Sequence, residues 1–164
     1  MFPELGHFAL ILALVLAGVQ AFFGLLGAHR GKVAWMNVVT PAVTGQWVFM
    51  GLSLACLTYA FVVHDFSVQY VANNSNSQLP LLFRVSAVWG AHEGSLLLWI
   101  FMLASWSVAV AAFSSSLTQV FRARVLAVHG TCSVGFTTTT LATSNPFTRL
   151  MPEAQAGARL KPHL

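Results

Sequence analysis

The densest chemistry-bearing stretch of this chain is Trp89-Gly90-Ala91-His92-Glu93-Gly94-Ser95-Leu96-Leu97-Leu98-Trp99, which sets an imidazole, a carboxylate and two indoles close together. His92-Glu93 opens like the HExxH helix of zinc hydrolases, in which two histidines four apart hold the metal and the glutamate acts as base. Leu96 stands where the second histidine must be, so that chemistry is excluded. The other histidines are His7, His29, His64, His129 and His163. Neutral imidazole can ligate haem iron, yet no two of these have a spacing that dictates a site. His129 falls about one turn inside an apolar run and needs an internal partner or a water path. Cys56 and Cys132 stand alone in apolar runs with no CxxC pattern, and read as small packing residues. Gly24-Leu25-Leu26-Gly27 lies in an apolar helix end and is no phosphate loop.

The elements that must position these groups belong to a membrane protein. Hydrophobic residues make up 57% of the 164 and charged residues 7%, against about 25% charged in a soluble domain. So few charges cannot keep that much apolar surface in water, which excludes a soluble enzyme and a disordered tail. The net charge of +4 reflects few acids rather than a basic cluster, so nucleic acid is not a partner. A bilayer core of about 30 Å needs about 20 mostly apolar helical residues. Uncharged runs of that length are 5–29, 33–64, 94–121 and 125–148. The run 66–83 contains Asn73-Asn74-Ser75-Asn76-Ser77-Gln78, whose polar groups would all lose water in lipid, and reads as a loop. The expected fold is an all-α integral membrane bundle of four transmembrane helices near 6–28, 41–63, 93–113 and 125–143, with the lipid bilayer as its surroundings.

The first run lacks the positive start of a signal peptide and is about twice as long as a signal core, so it is expected to be retained. Arg30 and Lys32 follow it, and Arg122 and Arg124 lie between the third and fourth runs, whereas Arg149, Arg159 and Lys161 fall on the opposite side. The first helix decides the balance, giving an N-out, C-out topology. A loop at 64–92 and a tail at 144–164 then face outward. The loop carries Phe66, Tyr70, Leu79, Leu81, Leu82, Phe83 and Trp89 and is expected on the membrane surface or against a partner. Within 89–99, Glu93 and Ser95 also suit a helix N-terminus, and Trp89 and Trp99 an aromatic belt. The run Thr137-Thr138-Thr139-Thr140 is expected to bond its own helix backbone.

Several ordered segments carry a resemblance. Glu4-Leu5-Gly6-His7-Phe8-Ala9-Leu10, the stretch Val71-Ala72-Asn73-Asn74 through Gln78-Leu79-Pro80, Ser86-Ala87-Val88-Trp89 through Leu98-Trp99, and Thr143-Ser144-Asn145-Pro146-Phe147 resemble the N-terminal part of the CcmF/NrfE/CycK proteins, from residue 1 to about 150. The resemblance implies part of a membrane haem lyase for c-type cytochromes, in the cell inner membrane as a multi-pass protein. It implies haem b as cofactor, and a haem chaperone, apocytochrome c and other cytochrome c maturation subunits, or a missing C-terminal portion, as partners. It also implies a longer chain, with the tryptophan-rich haem-handling segment and haem-ligating histidines beyond residue 164. Residues 1–143 correspond to a four-helix N-terminal portion, and 144–164 to an outer tail shorter than the family's. No catalytic or metal residue is assigned, enzymatic activity is left open, and His163 takes no ligand role. Trp89, His92, Glu93 and Trp99 are the candidates for contact with haem or apocytochrome.

The chain is thus expected to be a truncated or split piece of a cytochrome c assembly factor. A small structural subunit of a respiratory or transport complex would instead co-purify with that complex and leave cytochrome c levels unchanged on deletion. A non-functional remnant would be absent from the membrane. A transporter is disfavoured because Gln20, Gln46 and Thr137–Thr140, rather than charges, are the mid-membrane polar groups.

Overall fold

The computed structural model describes residues 1–149. It contains six helices: α1 (Phe2–Arg30), α2 (Val33–Val62), α3 (Gln69–Asn74), α4 (Leu81–Ala87), α5 (His92–Phe113) and α6 (Gln119–Thr143). The four long helices form a ring in which α1 packs on α2 and α6, and α5 closes it against the same two. Gly31, in the left-handed conformation (φ 64°), makes the tight reversal between α1 and α2, and the Lys32 N–H caps the Gly27 carbonyl at 3.1 Å. A side chain there would be strained, which is why a glycine ends the helix.

Small residues set the distance between α1 and its neighbours. A methyl group on Gly24 would lie 2.7 Å from Ala127 Cβ and 2.9 Å from the Ala123 carbonyl oxygen, and one on Gly130 would lie 3.0 Å from the Ala17 oxygen. Ala9, Ala13 and Ala17 are buried along the same helix. Lipid tails are as apolar as leucine, so close backbone approach and polar bonds must hold such helices together. One such bond is donated by the buried Gln20 side-chain amide to the Leu126 carbonyl, across α1 and α6.

The main core sits at one end of this ring, where Leu10, Leu57, Phe61, Leu97 and Ile100 from three long helices meet Tyr70 and Val88 from the connection and Phe147 from the tail. Arg84 ties α4 to the bundle by donating to the Leu79 and Val62 carbonyls at 2.8 and 2.9 Å.

Three helices, α1, α2 and α5, are long and apolar enough to cross a membrane. That makes the chain a multi-pass membrane protein. α6 has the length but carries Thr131, Ser133 and Thr137–Thr140, so a count of four spans rests on a helix that composition alone does not carry. α2 begins at Val33 rather than 41, with Pro41 inside it. Proline removes one backbone donor, and the helix runs on through that single loss. α6 begins at Gln119 rather than 125, so Arg122 and Arg124 lie in its first turns. The segment 64–92 is only partly loop: it holds α3 and α4, and Tyr70 and Val71 are buried while Leu81, Leu82 and Phe83 are exposed. Residues 150–164 of the expected tail, His163 among them, lie outside the described residues.

The α1–α6 contact makes a quantitative prediction. Gly24→Ala should lower stability by about 1–3 kcal/mol, because backbone and Cβ atoms cannot yield to the added methyl. Gly18→Ala, which meets nothing within 4 Å, should be neutral or stabilise by up to about 1 kcal/mol. Thermal unfolding of the two variants in detergent separates the effects.

Candidate functional site

The start of α1, the ends of α2 and α6, and the start of α5 lie at the end of the bundle that carries α3 and α4. Four separate sequence segments meet there. Tyr70 of α3 donates its hydroxyl to the Val88 carbonyl at 2.8 Å. Burial pushes its phenol above the ordinary value, so it remains a neutral donor. The first turn of α5 fits beneath this bond only because residue 94 is glycine. A methyl on Gly94 would collide with the Val88 carbonyl oxygen and lie 2.6 Å from Tyr70 Oη.

The tail closes the arrangement. Asn145 accepts the Phe147 N–H at 3.0 Å and lies 3.2 Å from His7 Nδ1 through its amide nitrogen. This turn places the Phe147 ring on Gly6, where a side chain would displace it. The Gln69 N–H donates to the Thr148 carbonyl at 2.8 Å, Val68 bridges to Arg149, and Arg149 pairs with Glu4. Between α3, the first turn of α5 and residues 143–148 lies a polar cleft of about 200 Å³, into which Gln69, Asn73 and Glu93 open. A second, apolar cavity of about 290 Å³ lies between the first turns of α1, Phe147 and Arg149.

The candidate residues divide between two faces. Glu93 lines the cleft, whereas His92, Trp89 and Trp99 are exposed, Trp99 at 67%. His92, Trp99 and Trp106 recur every seven residues and so share one outward stripe of α5. The structure therefore does not bring the carboxylate together with the two indoles. His129 has the internal partner it needs, with Nδ1 3.0 Å from Ser107 Oγ. Thr139 and Thr140 bond the carbonyls of Gly135 and Phe136 as expected, whereas Thr137 is buried with no partner among the described residues. Cys56 is buried, but Cys132 is exposed on α6 and does not pack in the core. Among the described residues no group of three His, Cys, Asp or Glu side chains could hold a metal ion.

Sequence reasoning missed Tyr70, Gly94, Asn145 and Thr148 as partners in one site. Gly94 gave a signal, since a glycine in the first turn of an apolar helix weakens that helix and so points to a close approach. The others lie far apart in the chain and offered none.

Comparison with known proteins places these segments. The chain is 56% identical over 153 residues to the cytochrome c-type biogenesis protein CcmF of Pseudomonas aeruginosa, covering 93% of this chain and 23% of that protein. It is 42% identical over 164 residues to the cytochrome c-type biogenesis protein CycK of Rhizobium meliloti, covering 100% of this chain and 24% of that protein. The solved structure of a cytochrome c haem lyase CcmF superposes with a TM-score of 0.86 at 26% identity, over 93% of this chain and 26% of that one. No family model matches. The chain thus spans about a quarter of the length of the curated relatives it matches.

The contact over Gly94 sets a sharp contrast within one motif. Gly94→Ala should abolish the folded end of the bundle around α3 and lower the yield of folded protein, because a backbone carbonyl blocks the methyl. Gly90→Ala, whose nearest neighbour is at 3.5 Å, should fold normally. Size-exclusion profile and thermal unfolding in detergent distinguish the two.

Proposed function

We propose, from a chain that matches the N-terminal portion of the CcmF/CycK/NrfE cytochrome c-type biogenesis proteins in sequence and fold, that it forms the scaffolding membrane part of a haem lyase. The observation that carries this reading is the convergence of all four resembling segments on one end of the bundle. His7, the α3 region, the start of α5 and the Asn145 turn are far apart in sequence and are joined there by Tyr70, Asn145 and Phe147. A bundle whose distinctive residues gather at one end is built to present that end.

In this reading the outer end faces away from the cytoplasm across the inner membrane. Apocytochrome c, a haem chaperone and the remaining maturation subunits are its partners. The exposed face formed by Trp89, His92 and Trp99 touches haem or apocytochrome from the side, while Glu93 acts from the cleft. The cavities at this end run from about 200 to about 600 Å³, and of these four only the one between α1, Phe147 and Arg149 has a histidine, His7, on its wall. No two histidines line any one of them, so these residues do not fit haem b as a group ligated through two imidazoles, and no step through its iron is assigned to them. What this chain contributes is position: a rigid edge of indole and imidazole held by the start of α5.

In a complete protein of this type, Trp89→Ala and His92→Ala should each lower covalent haem attachment to c-type cytochromes several-fold at unchanged membrane abundance. Haem-staining of membrane and soluble cytochromes measures it, and normal maturation in both variants would remove the proposed contact.

A further inference from the structure

We propose that the polar cleft between α3, α5 and the tail binds a hard cation of the calcium type. Three independent features of the cleft point to an electropositive occupant.

The first is a carboxylate with no counter-ion among the described residues. Glu93 lines the cleft, and the ion pairs among the described residues both involve Glu4, with the Met1 amino group and with Arg149. The second is the direction of the hydroxyl protons around it. Thr143 donates to the Thr139 carbonyl at 2.8 Å, Thr148 to the Asn145 carbonyl at 3.1 Å and Tyr70 to the Val88 carbonyl at 2.8 Å. Each of these hydroxyls has spent its proton on backbone, so what remains toward the cleft is oxygen lone pairs. The third is the end of α6. It carries no basic residue in its last turn, and none of the described turn or side-chain hydrogen bonds ends on the carbonyls of residues 140–143. A helix C-terminus of this kind holds partial negative charge and unsatisfied acceptors, and Thr143 and Ser144 carry it to the cleft wall.

An acceptor-rich cleft with one negative charge repels anions. Soft metals are excluded by the donor set, which has oxygen throughout and no cluster of His or Cys among the described residues. Calcium accepts six to eight oxygen ligands in flexible geometry, and the amide oxygens of Gln69 and Asn73 can join the carboxylate, the hydroxyls and water. Magnesium demands a tighter octahedron and sheds water reluctantly. With a single carboxylate the affinity belongs at the weak end, with a dissociation constant of about 10⁻⁴–10⁻³ M. The occupant would cross-link α3, α5, α6 and the tail, and so lock the end of the bundle on which the resembling segments converge.

The test uses this chain in zwitterionic detergent at constant ionic strength, followed by tryptophan fluorescence during thermal unfolding. Millimolar calcium chloride should raise the midpoint by several degrees, half-maximally near 10⁻⁴–10⁻³ M as an order-of-magnitude expectation. Equal magnesium should do distinctly less. Glu93→Gln should remove the calcium effect, whereas Glu4→Gln, which alters an acid outside the cleft, should retain it. No shift with calcium, an equal shift with magnesium, or an undiminished shift in Glu93→Gln overturns the proposal. Should Glu93→Gln fail to fold, terbium serves as a luminescent stand-in on the unaltered chain. Emission sensitised by the aromatic side chains, weakened in Asn73→Ala and displaced by calcium, supports the site, and emission that calcium does not displace or that Asn73→Ala leaves unchanged overturns it. These readouts concern binding by this chain, so their failure leaves the haem-lyase reading untouched, and that reading's failure leaves them standing.

Discussion

The hydrogen bond from Tyr70 to the Val88 carbonyl, seated over Gly94, is the contact on which this end of the bundle, with α3, α4 and the tail, depends. It fixes where α5 begins, because the first turn can pass beneath Val88 only without a side chain at 94. It holds α3 against α5, and α3 in turn anchors the tail through Gln69 and Val68. A tyrosine hydroxyl buried in this way must find an acceptor or lose its water bonds uncompensated. The carbonyl ending the α4 connection supplies that acceptor, so the 64–92 segment becomes structured rather than merely long.

The bundle beneath obeys a different rule. In lipid, apolar surface brings no gain when two helices meet, so contact must come from dispersion at short range and from polar bonds. Gly24 lies against Ala123 and Ala127, and Gly130 against the backbone of Ala17 and Ala21 and the stem of Gln20. The Gln20 bond to Leu126 adds a directional tie, yet Gln20 Oε1 and the side-chain atoms of Gln46, Ser53, Ser133 and Thr137 are buried without partners among the described residues. α6 contributes two of these groups and falls short of the apolar composition of the other long helices. Its place in the ring, against α1 and α5, therefore matters more to its stability than its own hydrophobicity does.

The two ends of the molecule differ in consequence. At the α1–α2 reversal, Arg30 and Lys32 approach the face of Trp35, with the lysine nitrogen 4.8 Å from the ring centre, so cation and indole share an interface position. At the other end two arginines are engaged in fastening: Arg84 holds α4 to the end of α2, and Arg149 holds the tail to Glu4. The core is concentrated at that fastened end, where side chains from long helices, short helices and tail interlock.

Much of this was legible in the residues. Charge gaps located α1 and α5 to within a few residues, because the energy of burying a charge in lipid is large and local. The polar run at 73–78 was expected as loop, but its first two residues, Asn73 and Asn74, close α3; His129 has the internal partner its position required. The start of α2 was not legible: the helix begins at Val33 rather than 41 and runs through Pro41. Nor was the fate of the 64–92 apolar groups: Tyr70 and Val71 go inward and Leu82 and Phe83 outward, a choice made by neighbours from α5 and the tail. The sequence by itself determined a membrane helical protein and the identity of its distinctive segments, because hydropathy and motifs are local properties. Only the tertiary structure decided that Glu93 faces a polar cleft while Trp89 and Trp99 face outward. Helix rotation is set by which residues can pack closely, and that depends on partners up to some hundred and forty positions away, such as Asn145 beside His7.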